Sequence, residues 1–80
     1  MNIVERVRGE DGTVAVNIRR LGEPVQFEPE LLEQLRAAGV VPGADATIAA
    51  AGGYVLVRVD GFGEGLELPP EVATHVYVAR

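Results

Sequence analysis

Two consecutive glycines, Gly52-Gly53, divide two β-rich runs, Asp45 to Ala51 and Tyr54 to Asp60. A pair of residues free to take positive φ between two such runs signals a tight hairpin, so the middle of this chain pairs with itself antiparallel. The same punctuation recurs from end to end, with ten glycines and five prolines in 80 residues. Turns arrive every ~8–12 residues, the spacing of a small all-β domain. No strand–helix–strand repeat is present to build a parallel sheet. The pattern predicts a mostly β fold: a small, strongly bent barrel or two-sheet roll of five to six short strands with one short helix, in a single domain over 1–80.

The other elements follow from local patterns. Ile3 to Arg8 and Thr13 to Leu21 read as strands joined by the turn cluster Gly9-Glu10-Asp11-Gly12, with Asp11-Gly12 as a hairpin signal. Val14, Val16 and Ile18 alternate with Ala15, Asn17 and Arg19, the period of a strand with one face buried. Leu31, Leu32, Leu35 and Ala38 form one helical stripe between Pro29, suited to a first helical position, and Gly39, suited to a left-handed cap. Val40-Val41-Pro42-Gly43 reads as a type II turn with Gly43 at positive φ. After a glycine-rich loop over 61–65, Leu66 to Leu68 is a short strand. Pro69-Pro70 starts a single helical turn through Ala73, and His75 to Arg80 ends the chain as a strand.

Charge and missing residue types exclude whole classes of function. Twelve acidic residues stand against seven basic ones, all Arg, for a net charge of −5. A domain that neutralises phosphates on its own needs a cationic face, so direct DNA or RNA binding by this chain is not expected. Cysteine is absent, which removes disulfides and thiolate metal sites, and serine is absent too. His75 is the only histidine and reads as an edge or partly packed residue of the last strand. No enzyme is expected. The loop Gly61-Phe62-Gly63-Glu64-Gly65 is no phosphate cradle, because it carries a carboxylate and leads into no helix. The apolar runs are too short to span a bilayer, so a cytoplasmic chain without membrane contact is expected.

The segment Glu23-Pro24-Val25-Gln26 reads as a type I turn, because Pro24 fixes φ and β-branched Val25 resists positive φ. Such a turn brings a carboxylate and a carboxamide oxygen to one side, donors that suit hard or borderline divalent ions. Two donors do not make a strong site, since such ions take four to six ligands or more. As exposed side chains their removal is expected to shift stability by less than about 0.5 kcal/mol.

That segment lies in a longer pattern. Val14-Ala15-Val16-Asn17-Ile18-Arg19-Arg20-Leu21 leads into Glu23-x-x-Gln26, then Leu35-x-x-Ala38-Gly39-Val40-Val41-Pro42-Gly43-Ala44, then Leu68-Pro69-x-Glu71-x-Ala73. From residue 13 onward the chain resembles the C-terminal SH3-like domain of the iron-dependent repressors of the diphtheria toxin repressor family. The resemblance implies metal ligands at Glu23 and Gln26, contributed to an ancillary site of a transcriptional repressor that uses Fe(II) or Mn(II). It implies partners within a longer polypeptide: a helix-turn-helix DNA-binding domain, a dimerisation domain and a proline-rich linker on which this domain docks. The isolated domain would then be a monomer without tightly bound metal. The pattern near position 74 departs from the family, with Thr74 before His75, and the resemblance assigns no role to His75. A Gly-x-x-Pro-Gly turn also occurs in stand-alone ferrous-iron transport accessory (FeoA-like) proteins, the alternative reading; the Glu-x-x-Gln between strand and helix favours the repressor domain.

Overall fold

The computed structural model describes residues 1–79. Five strands form one antiparallel sheet in the order β4-β3-β2-β1-β5: β1 Val14–Leu21, β2 Asp45–Ala51, β3 Tyr54–Val59, β4 Leu66–Leu68 and β5 Val76–Val78. Four short helices connect or cover them: α1 Ile3–Val7, α2 Glu23–Gln26, α3 Pro29–Ala37 and α4 Pro70–Ala73. The architecture is mostly β and fits a small SH3-like fold.

The β2–β3 hairpin turns at Gly52-Gly53, where both residues have positive φ, 57° and 88°. Ala51 then faces Tyr54, which aligns Ile48 with Val57 and Ala46 with Val59. All four are buried, so the turn register also sets the core register. β1 serves two partners. Val14 to Asn17 pair with β2, and Ile18 to Leu21 pair with β5, with a register shift between Ile18 and Arg20. Arg19 is the extra residue of this bulge, and the inward positions pass from Ile18 to Leu21 across it. Bent in this way, β1 lets the sheet close around Ile18, Ile48, Val57 and Val76.

α3 buries Leu35 and rests Leu31, Leu32 and Ala38 against the core. It ends as the glycine predicted. Gly39 has φ +78°, its N–H reaches the Arg36 carbonyl at 3.0 Å, and the Val40 N–H reaches the Leu35 carbonyl at 2.8 Å. This is a Schellman cap, with buried Leu35 and Val40 flanking it. The turn that follows closes between the Val41 carbonyl and the Ala44 N–H at 3.1 Å, one residue later than predicted, with Pro42 and Gly43 at its centre.

The first segment is a helix, not the predicted strand, and Asp11-Gly12 is a bend in a loop rather than a hairpin turn. Asn2 and Glu5 form a capping box: the Glu5 N–H donates to Asn2 Oδ1 at 2.9 Å and the Asn2 N–H to Glu5 Oε1 at 3.2 Å. Ile3 and Val7, four residues apart on one helix face, are both buried. Capping and packing here outweigh the strand preference of Ile3, Val4 and Val7. The predicted helix and the predicted helical turn at Pro70 to Ala73 are joined by two further helical segments, α1 and α2, and five strands are present among the described residues. The predicted last strand is shorter, Val76–Val78, and Arg80 lies outside the described residues.

Candidate functional site

The predicted turn at Glu23 to Gln26 is one full helical turn, α2, entered from the extended Gly22. Pro24 stands in the first turn, where its missing N–H costs nothing. Val25 is 1% exposed and pins the turn to the core. Residues three apart on a helix project to neighbouring positions, so Glu23 and Gln26 share the outer side that Val25 leaves free. Both are exposed. The αR backbone of the predicted type I turn is retained and extended: the Gln26 N–H reaches the Gly22 carbonyl at 3.2 Å and the Phe27 N–H the Glu23 carbonyl at 3.1 Å.

The two side chains are not held alike. Gln26 Nε2 donates to the Leu21 carbonyl at 2.6 Å. That bond commits the amide nitrogen to the protein and turns Oε1 away from it as a ready acceptor. Glu23 makes no side-chain hydrogen bond among the described residues and is free to complete whatever Gln26 begins. Both are exposed, as expected of turn side chains, but Gln26 carries a tether in addition. The tether was invisible in the sequence, because it depends on where β1 ends.

α2 stands at one end of the β1–β5 ribbon. Leu21 faces Val76, both buried, and one step further the Gly22 N–H donates to the His75 carbonyl at 2.7 Å. On the outward face of the same ribbon, the Arg20 guanidinium carbon lies 4.1 Å from the centre of the Tyr77 ring. No polar side chain is fully buried among the described residues, and no three His, Cys, Asp or Glu side chains gather into a metal-sized cluster there. Glu23 and Gln26 are the two exposed side chains of α2 that carry oxygen atoms able to donate to a metal. Beside them is a hollow of about 370 Å³ lined by Phe27, Glu28, Pro29, Glu30 and Leu31, with Phe27 76% exposed. Phe62, also exposed, lies at the other end of α3, its ring packed so closely on Gly39 that a Cβ there would come within 2.7 Å. The two exposed phenylalanines thus stand at opposite ends of α3. No helix among the described residues is long and apolar enough to cross a membrane.

A family model for the FeoA domain matches residues 3–80. Two curated relatives are iron-dependent repressors named IdeR. That of Mycobacterium tuberculosis (strain ATCC 25618 / H37Rv) is 41% identical over 68 residues, covering 84% of this chain and 29% of the relative. That of Mycobacterium leprae (strain TN) is 38% identical over 68 residues, with the same coverage. The chain therefore spans under a third of the length of these relatives. The resemblance to iron-dependent repressors stands on this similarity, and by its match over nearly the whole sequence the chain belongs to the FeoA domain family.

Proposed function

We propose that residues 1–80 work as one SH3-like regulatory module, the C-terminal domain of a cytoplasmic, iron-dependent transcriptional repressor. In this reading Glu23 and Gln26 supply two oxygen ligands to an ancillary metal site completed by the dimerisation domain. The observation that carries it is the Gln26 tether. With Nε2 held by the Leu21 carbonyl, Gln26 keeps Oε1 as an uncommitted acceptor on a fixed side chain, so less side-chain freedom is lost on coordination. A carboxylate and a carboxamide oxygen fit the hard, borderline chemistry of Fe(II) and Mn(II).

A divalent ion, when bound, supplies a shared positive centre for oxygen donors from both parts of the protein. The work of this chain is to present its pair in the docked position and to release it when docking fails. Because the paired donors favour the docked state, metal and docking strengthen one another by the same factor. The hollow lined by exposed Phe27 and by Pro29 and Leu31, which follows α2 in the chain, is the surface we assign to a proline-rich linker segment. DNA contact is left to the partner domain, in keeping with the −5 charge of this chain.

The family match also supports a second reading, a stand-alone ferrous-iron transport accessory protein. One experiment separates the two. In the polypeptide that joins this domain to DNA-binding and dimerisation domains, E23A/Q26A is expected to raise the metal concentration for half-maximal operator binding at least tenfold. An unchanged metal response overturns the ligand assignment.

A further inference from the structure

The proposed pair has a third neighbour that the repressor resemblance does not assign. His75 stands opposite Gly22, and the two backbones are joined by the Gly22 N–H to His75 carbonyl bond at 2.7 Å. A Cβ built on Gly22 would lie 3.1 Å from His75 Cβ and 3.2 Å from Nδ1. The imidazole thus occupies the space that any other residue at position 22 would fill. Gly22, just past the end of β1, is buried beneath the His75 side chain, which stands just before β5. His75 is half-buried, and neither ring nitrogen takes a hydrogen bond among the described residues. Glu23 follows Gly22 in the chain, and Gln26 reaches back to the Leu21 carbonyl beside it. A carboxylate, a carboxamide oxygen and an imidazole are therefore rooted around the three residues Leu21, Gly22 and Glu23.

We propose that His75 is a third metal-binding residue of this corner, giving the chain a mixed Glu23–Gln26–His75 donor set of its own. This rests on the reading of Glu23 and Gln26 as ligands and extends it. Mixed oxygen and imidazole donors suit divalent first-row metals, and three protein ligands leave further positions for water or for groups from another domain. The arrangement assigns Gly22 a role as well: without a side chain it leaves the imidazole room beside the donors. The guanidinium of Arg20, the nearest cation on this face of β1, is drawn over the Tyr77 ring.

The test uses the 80-residue chain with Mn(II) and Co(II) as probes. In an NMR titration, Mn(II) well below one equivalent is expected to broaden the His75 ring signals together with the amides of residues 23–26. Those of Arg36 and Ala37, at the far end of α3, should stay sharp. By Co(II) absorption, H75A and the bulkier H75F should each weaken binding at least tenfold, with amide spectra that retain the folded dispersion. Three results overturn the proposal: ring signals that survive while residues 23–26 broaden, ring broadening that persists in E23A/Q26A, or no Co(II) binding at millimolar metal. None of these decides the two-ligand reading, which stands or falls on operator binding by the longer polypeptide.

Discussion

α2 and α4 are the same device used twice. Each is a four-residue helix with proline in its first turn, and each anchors one buried residue, Val25 or Ala73. They flank the same end of the β1–β5 ribbon, α2 leaving Leu21 and α4 entering Val76 through Thr74 and His75. Each carries a glutamate followed three residues later by a hydrogen-bonding side chain: Glu23 with Gln26, and Glu71 with Thr74. They differ in where that second side chain goes. Gln26 reaches outside its own helix to the end of β1, whereas Thr74 Oγ1 lies 3.5 Å from the Glu71 carbonyl of its own turn. The first arrangement fixes a side chain across to the neighbouring strand and leaves its oxygen uncommitted, and the second only trims a helix end. Similar four-residue turns thus yield one candidate ligand pair and one connector.

The anchors should show the largest effects, with α2 the more sensitive. Val25→Ala removes two buried methyl groups at a site that is 1% exposed and leaves a gap against the core. At ~0.8 kcal/mol per buried carbon plus a cavity term, the loss is about 2 kcal/mol. Ala73→Gly removes one buried methyl and adds backbone freedom, for about 1.5 kcal/mol. Urea denaturation measures both. If Ala73→Gly proves the more damaging, α2 is not the better-anchored turn and the comparison fails at its base.

The next difference concerns the tether. Gln26→Ala leaves the Leu21 carbonyl without its side-chain donor, and a lost hydrogen bond of this kind costs about 1 kcal/mol. Thr74→Ala gives up a long, marginal contact and should fall within about 0.5 kcal/mol of the parent chain. Equal, negligible effects would mean that the Gln26 carboxamide is free in solution and not pre-set.

Much of this framework was legible in the sequence, and the failures have identifiable causes. Gly52-Gly53, Gly39 and Pro42-Gly43 declare themselves because few other residues tolerate their backbone angles. The bulge left a trace too: the inward positions Val14, Val16 and Ile18 are even-numbered and the next, Leu21, is odd. That phase change is what one extra residue at Arg19 produces. α1 was misread because Ile3, Val4 and Val7 favour strands as individuals, although Asn2 and Glu5, three apart, already spelled its capping box. At the site, the Glu23–Gln26 spacing was readable as local structure. The Leu21 tether and the placement of His75 over Gly22 were not, since both depend on how β1 pairs with a strand some 55 residues later in the chain.

The smallest stability effects should carry the sharpest functional contrast. Glu23 and Glu71 are both exposed first-turn glutamates, each placed favourably at the positive end of a short helix. Changing either to Gln removes a full charge but keeps the shape, so each variant should stay within about 0.5 kcal/mol of the parent chain when no metal is present. Added Mn(II) should separate them. A ligand that binds only the folded state raises stability by RT ln(1 + [L]/Kd), about 2.7 kcal/mol when it is present at a hundred times its Kd. The parent chain and E71Q should gain equally as Mn(II) is raised. E23Q should gain much less, because a neutral amide oxygen replaces the only anionic donor of the pair and shifts the gain to higher metal. Thermal denaturation of the three proteins over a Mn(II) series reads this directly. Equal gains in all three would place the metal elsewhere on this acidic chain, and would reduce α2 to the same structural role as α4.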